Sequence, residues 1–551
     1  MITGDNMKIT KKLLSLSLLA VLMLCLCACN GIFMDSHDAE LTALDASALG
    51  DVSLISCDSN EKYSVLFYIN YTDEYDETTN EPVDDIHYYL CVFNNRTNKE
   101  VKRIEFENKN NYSYEVRLTE EGFSLFNTEN NEVIKYDYKL KNSEAGKYEF
   151  KENYDIAKSI SSIDADKYNC MDSFAVSNNF TNYQALVFYD EPSKFYILKA
   201  NIYYDYICAD NHKMLVIDNS ANKTDKYESV VRILDFDSGR EINSTTIPND
   251  QDVNNIQLSS FNANRATVVT VKEDGRLDKI YIWNYNLSPK NKPFDNGYYQ
   301  TVSADKISEK TDRACDRIKS EYNISTEYAP DSNFIKQEFA ISNDIKPIEF
   351  YLSVLDLEQY LATLPKQFYT ELLCNDIPLA VTSFEQFRIY LVGDFPENDV
   401  DAFANNINCD ETDNKNTLYI VFSCSGLNQR TFFHELMHTM EYRIWNYESE
   451  FDEKWTGLNP SSFDYSEDYS SLYYDESHIE WQDCFARDYG MKNILEDRAT
   501  CFEELCDGLL TDSCWWKEKP PLLAKEKYLS EVVKKSYPSL KESKILLQEQ
   551  Q

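Results

Sequence analysis

Between Asp45 and Asp295 the apolar residues come only in short runs, each closed by Asn, Asp or Gly, and this punctuation restricts the fold more than any other feature of the chain. Tyr63–Tyr68, His87–Phe93, Ala185–Tyr189, Met214–Ile217 and Lys279–Tyr285 are such runs, rich in Val, Ile, Tyr and Phe, and they read as β-strands. Polar turns such as Asn94-Asn95-Arg96-Thr97-Asn98-Lys99 and Asp237-Ser238-Gly239-Arg240 separate one strand from the next. The 40 tyrosines of the sequence favour strand over helical bundle. The spacing suits four-stranded blades of roughly 40–50 residues, hence about five or six of them. A β-propeller-like domain is therefore expected over 45–298, with an array of β-sandwiches as the second arrangement.

The texture changes after Pro293. Ala304 to Tyr322 reads as a charged amphipathic helix, and Ile348 to Leu364 as a second, with Tyr351, Leu352, Leu355, Tyr360, Leu361 and Leu364 at helical spacing. Strands are expected at Phe387–Val392 and Leu418–Phe422, then a helix beginning near Asn428. This mixture describes an α+β domain over 299–516. The tail, 517–551, carries Lys525, Lys527, Lys534 and Lys535 among Leu and Val and reads as one amphipathic helix packed on that domain.

The helix expected near Asn428 contains His434-Glu435-Leu436-Met437-His438. Two histidines four apart leave one helix face a turn apart, so both imidazoles can meet one zinc ion at about 2.0–2.1 Å. Glu435 lies beside them, where its carboxylate can take a proton from a metal-bound water. Phe432, Phe433, Leu436, Met437 and Met440 should anchor the helix in the core. Catalytic zinc needs a third protein ligand and an open fourth position. The metzincin arrangement puts a His six residues after the second motif His, where this chain has Ile444, and is excluded. In the gluzincin arrangement a downstream helix supplies Glu, and Glu441, Glu480, Glu496, Glu503 and Glu504 are candidates.

The stretch Tyr489-Gly490-Met491-Lys492-Asn493-Ile494-Leu495-Glu496, with Ala499 following, resembles the catalytic domain of the lethal-factor toxins. Trp455, Leu458-Asn459-Pro460, Phe463 and Tyr465 are similar to a segment of bacterial lipoproteins that carry gluzincin-type domains. The resemblance spans Ala304 to Asp507, is sharp from Arg430 to Glu504, and implies a zincin-like metallopeptidase domain. It implies that Glu496 is the third zinc ligand, with Tyr489 donating its hydroxyl to an oxyanion. Independently, a helix from Asn493 to Leu509 would align Glu496, Ala499 and Glu503 on one face, Ala499 being small enough for close helix packing. Glu503 is the next choice of ligand. Asp497 reads either as a carboxylate orienting a ligand His or as an exposed helical residue, and Glu441 as an outer carboxylate or a surface charge. His478 is placed to contact substrate or is an ordinary loop residue. Arg443, Arg487 and Arg498 should pair with acids.

At the N-terminus, Lys8, Lys11 and Lys12 precede an apolar run from Leu13 to Leu26 and then Leu26-Cys27-Ala28-Cys29. That is the layout of a secretory signal over 1–28. Its end resembles the lipobox of bacterial lipoproteins, departing from it at Cys27. The resemblance implies a lipid on Cys29, a linker over 29–44, and an extracytoplasmic protein anchored to the bacterial cell membrane. Twelve further cysteines show no framework or C-x-x-C spacing, so isolated buried thiols are expected. A formal net charge of −40 repels phosphate backbones and argues against a nucleic-acid partner. Two functional readings follow. One is a zinc metalloendopeptidase acting on a protein or peptide substrate. The other is an extracytoplasmic binding protein that uses its β-rich half and carries a vestigial zincin domain.

Overall fold

The computed structural model describes residues 41–547 apart from 46–48, 50–51, 76–81, 108–113, 128–131, 148–173, 177–182, 188–190, 192, 200–205, 210–211, 219–227, 249–252, 262–264, 273–275, 286–291, 294–298, 331–340, 343–344, 379, 381, 396–400, 408–414 and 475–480. Cys29, His478 and Glu480 therefore lie outside the described residues. The chain separates into two compact units, one within Met1–Tyr154, Ala165–Phe174 and Asn201–Tyr299, the other within Asp155–Asp164, Ala175–Ala200 and Gln300–Gln551.

In the first unit every described element is a strand or a turn, as the short apolar runs require. Val52–Ser59, Tyr63–Tyr75, Pro82–Asn94 and Lys99–Phe106 form one antiparallel meander, and Tyr114–Leu118, Gly122–Asn127, Glu132–Asp137 and Asn142–Lys147 the next. A five-stranded sheet follows, from Tyr206–Ala209 through Arg240–Pro248 with Lys292–Pro293 at its edge. The last sheet joins Val253–Phe261, Ala266–Lys272 and Leu277–Trp283 to Leu41–Asp45, which pairs antiparallel with Leu277–Trp283. The earliest described strand thus completes the final sheet.

Side chains alternate across these strands with period 2 and so reach both neighbours. In the first meander Val65, Phe67, Leu90 and Val92 pack against Tyr114, Val116, Phe123 and Leu125 of the second. Their alternates Leu66, Tyr68, Cys91 and Phe93 pack against Val269, Val271, Ile280 and Ile282 of the last sheet. The last sheet turns its other face, including Val268, Tyr281 and Trp283, toward Leu215, Val231, Ile233 and Ile247. The region is all-β with sheets stacked face to face; no closed ring is traced among the described residues.

The second unit is mixed α/β. It contains a four-stranded sheet in the order Phe174–Val176, Tyr183–Val187, Lys194–Lys199, Tyr299–Ser303, whose two central strands pair antiparallel. It also contains a four-stranded sheet in which Ser325–Tyr328, Gln386–Val392 and Thr417–Ser423 run parallel and Ala402–Ile407 is an antiparallel edge. Thr417–Ser423 is buried along its whole length, as a central strand covered on both faces must be. Helices α1 (Ile307–Tyr322), α2 (Pro347–Leu361) and α3 (Lys366–Glu371) precede the central strands. α1 stops at Asn323, which adopts the left-handed conformation (φ 60°) that Asn tolerates. α2 starts on Pro347 and ends at Leu361, three residues short of the expected Leu364.

α4 (Gln429–Tyr447) follows Thr417–Ser423 closely, and α5 (Phe451–Thr456), α6 (Tyr469–Tyr473), α7 (Ile494–Thr511) and α8 (Pro520–Ser536) complete the unit. α8 is the amphipathic helix expected in the tail, burying Leu522, Leu529, Val532 and Val533. Cys91, Cys315, Cys374, Cys424, Cys501, Cys506 and Cys514 carry free thiols.

Candidate metal centre

α4 begins on Asn428, whose side chain accepts from the Thr431 backbone N–H and so satisfies one of the helix's orphan donors. Phe432, Phe433, Leu436, Met437 and Met440 are all fully buried, which fixes the helix's rotation and turns His434 and His438 to one side. Their rings meet edge to face, 5.1 Å between centroids. Ligand atoms of His434, Glu435 and His438 lie within 4.8 Å of one another.

α7 lies antiparallel to α4 and supplies the opposing carboxylates. Its first turn is capped by Asn493, whose Oδ1 accepts from Leu495 N and Glu496 N (2.9 and 3.0 Å). From that turn Glu496 reaches across, its Oε2 lying 3.0 Å from His434 Nε2 and 3.4 Å from His438 Nε2. One oxygen therefore faces both imidazoles. Two turns on, Glu503 Oε2 lies 3.1 Å from His434 Nδ1. Ala499, fully buried between them, allows the helices to approach.

Further pairs hold the two helices in register. Arg498, without exposure, donates to both oxygens of buried Glu441 (2.7 and 3.1 Å) and to Asp452. Arg430 pairs with Glu503 (3.2 Å) and with Glu504, and Gln429 donates to Asp507. Arg487 donates to Glu503 (2.9 Å), and Arg443 makes a two-pronged contact with Asp376. Each of the three expected arginines has its acid.

Two alternatives left by the sequence close differently. Glu441 is no surface charge, because it neutralises Arg498 inside the α4–α7 contact. Asp497 neither orients a histidine nor faces solvent. It is fully buried, and its Oδ2 accepts from Trp455, Tyr465 and Lys525. Residues 496 and 497 lie about 100° apart around a helix, so the two carboxylates leave in different directions. The carboxylate on the back of a histidine is that of Glu503. Lys525 was invisible as a site neighbour, although a lysine three residues after Leu522 and four before Leu529 sits on the apolar stripe of α8, and that misfit was its signal.

Tyr489 sits in a short 3-10 turn, Asp488–Met491, against α7. Gly490 is required there, because a Cβ would come within 2.8 Å of Thr500 Oγ1. The Tyr489 ring lies 6.0 Å from that of His434, and its hydroxyl donates to Glu496 Oε1 (3.3 Å).

The charges are strongly coupled. Burial by itself would lower the pKa of His434, but Glu496 and Glu503, on its two nitrogens, raise it to about 9. Against the upward pull of burial, hydrogen bonds from His434 and His438 hold Glu496 well below the usual carboxylate range. Burial pushes Glu435 up, with the two histidines opposing. Burial, reinforced by Glu496, raises Tyr489 and keeps its hydroxyl protonated.

Two imidazole nitrogens and a carboxylate oxygen, from positions 434, 438 and 496, form a donor set that suits zinc, and a carboxylate behind one imidazole is the usual outer support of such a site.

No family model matches the chain, and no curated protein matches it. Among solved structures it is similar to a protein of Bacteroides caccae described provisionally as a zinc-binding metallopeptidase, at 14% identity over 43% of this chain and 89% of that one, with a TM-score of 0.27. It is also similar to the β-propeller domain of the Trilobed protease from Pyrococcus furiosus, at 10% identity over 45% and 98% with a TM-score of 0.20. A third, Hsv2 of Kluyveromyces lactis, shares 7% identity over 46% and 99% with a TM-score of 0.17. Likeness at this level carries no argument about chemistry; the side chains have to.

Proposed function

We propose that the chain is a zinc-dependent metallopeptidase of the gluzincin type, with His434, His438 and Glu496 as metal ligands. The observation that carries this reading is the single Glu496 oxygen facing both histidine Nε2 atoms from a separate helix. Two imidazoles and one carboxylate converging from separate helices, with further support behind His434, is the donor arrangement of a zinc site. When bound, zinc supplies a Lewis acid that polarises a carbonyl and acidifies water.

The chain's own residues do the rest. Glu435, buried beside the two histidines, takes the proton of the attacking water and passes it to the leaving amine. Glu503 holds His434 by Nδ1, fixing the ring and leaving Nε2 for the metal. Tyr489, protonated at neutral pH, donates to the oxyanion that develops as the peptide carbonyl is attacked.

We further propose that the β-rich region is propeller-like, which the stacking of its sheets and the pairing of Leu41–Asp45 into the last of them support. On the sequence argument for Cys29, the protein is a lipoprotein anchored on the outer face of the membrane.

The test is metal analysis of the purified protein, with peptide-library digestion in the presence and absence of chelator. One zinc per chain and chelator-sensitive cleavage are expected. Glu435→Gln should retain the zinc and lower the cleavage rate by about 100–10,000-fold, the range expected for loss of a general base. A Glu435→Gln protein that cuts at the parental rate removes the proposed mechanism.

A further inference from the structure

Asp497 follows Glu496 directly and accepts hydrogen bonds on both of its oxygens. Its Oδ2 accepts from Trp455 Nε1, Tyr465 OH and Lys525 Nζ, each at 2.8 Å, and its Oδ1 accepts from Lys525 at 2.9 Å. The donors come from α5, from the segment after it, and from α8. Asn459 donates its amide to the Tyr465 oxygen (2.9 Å), which leaves the tyrosine proton for Asp497. Lys525 and Asp497 are both without exposure, and the ammonium stands 3.9 Å from the centre of the Phe485 ring.

A buried ion pair is a poor source of stability, since desolvating two charges costs about as much as their attraction returns, and apolar replacements are often neutral or better. Direction is what such a pair supplies. Several short bonds from three separate segments fix one carboxylate, and with it the first turn of α7. Glu496 lies in that turn, between the Asn493 cap and the anchored Asp497. Neither bond touches the Glu496 carboxylate, which stays directed at the two imidazoles.

We propose that Lys525, Tyr465 and Trp455 are positioning residues of the metal centre, acting through Asp497 to set the place of Glu496. The C-terminal helix is thereby part of the centre and more than packing on it. This rests on the reading of Glu496 as a metal ligand. It adds that the ligand's affinity is set from a distance, by groups that touch neither metal nor substrate.

The experiment uses the full-length protein with Tyr465→Phe, Lys525→Met and, as a surface control, Lys527→Met. Zinc affinity is read by competition with a chromophoric chelator, ligand geometry by the visible spectrum of the Co2+-loaded protein, and folding by circular dichroism. Tyr465→Phe removes one oxygen and keeps the ring, so it should fold and bind zinc about tenfold more weakly, with an altered Co2+ spectrum. Lys525→Met should weaken zinc at least as much as Tyr465→Phe. Lys527→Met should match the parent. A folded Tyr465→Phe protein with parental zinc affinity and spectrum overturns the proposal, even if its melting temperature falls, and it decides the matter should Lys525→Met not fold. A parent that binds no zinc overturns the metal-site reading itself, whereas a zinc-binding parent with an indifferent Tyr465→Phe overturns only the positioning role.

Discussion

Glu526 shows how expensive a single carboxyl can be inside this unit. It is fully buried next to Lys525, yet that lysine is committed to Asp497, and neither Glu526 oxygen has a hydrogen-bond partner among the described residues. Burial drives its pKa far up, Lys525 opposing and Asp497 reinforcing. The folded chain therefore keeps a proton that the unfolded chain gives up above about pH 4.3. Stability must fall as pH rises from there toward the folded-state pKa, by up to about 1.4 kcal/mol per unit. Glu526→Gln keeps the shape and removes the titration, so its urea midpoint should gain on the parent's between pH 5 and pH 8. Parallel pH dependences for the two proteins would mean that the carboxyl is ionised in the fold. Glu503 meets His434, Arg430 and Arg487 together. Glu503→Gln should leave the fold intact, keep a weaker contact to His434 Nδ1, and reduce zinc affinity by about 10-fold or more, as measured against a chelator.

Among the elements, α7 is the one whose local chemistry matters most, because it holds Glu496 and Glu503. Asn493 satisfies two donors of its first turn, and Asn493→Ala should cost about 1 kcal/mol, read as a lower melting temperature. The 3-10 turn that carries Tyr489 is pressed against the same helix at Gly490. Gly490→Ala drives a methyl into Thr500 Oγ1 and should cost about 1–3 kcal/mol, part of which Gly490→Ala with Thr500→Ala together should restore. If the single and double variants melt alike, the contact is not what demands glycine. Much at this scale was legible in advance. Asn428 and Asn493 both stand where a helix was expected to begin, and both cap it. Four-residue spacing put His434 and His438 on one face, and the buried apolar residues of α4 with Ala499 of α7 did the rest. Such features depend on a few consecutive residues and on helix geometry alone.

The whole molecule adds partners that no local pattern contains. α8 buries Leu522, Leu529 and Val533 completely, worth roughly 1.5–3 kcal/mol each by transfer. Its Lys525 also neutralises Asp497. Domain stabilities of about 5–15 kcal/mol leave little room for that loss. Truncation after residue 516 should therefore abolish cooperative unfolding of the α/β unit, seen as a lost near-ultraviolet dichroism signal, and should abolish zinc binding with it. A truncated chain that melts cooperatively would show α8 to be dispensable.

From sequence alone, the strand-rich first half, the mixed helix-and-strand second half and the two histidines on one face were determined, because period-2 and 3.6-residue patterns are properties of neighbouring residues. That Glu503 stands behind His434 while Glu496 faces both rings, and that Asp497 is buried, were decided only by the packing of α5, α7 and α8. Glu441, Glu496, Glu503 and Glu504 are alike as residues. Their roles come from direction, and direction is set by contacts such as Asp497 with Lys525, 28 positions apart in the chain.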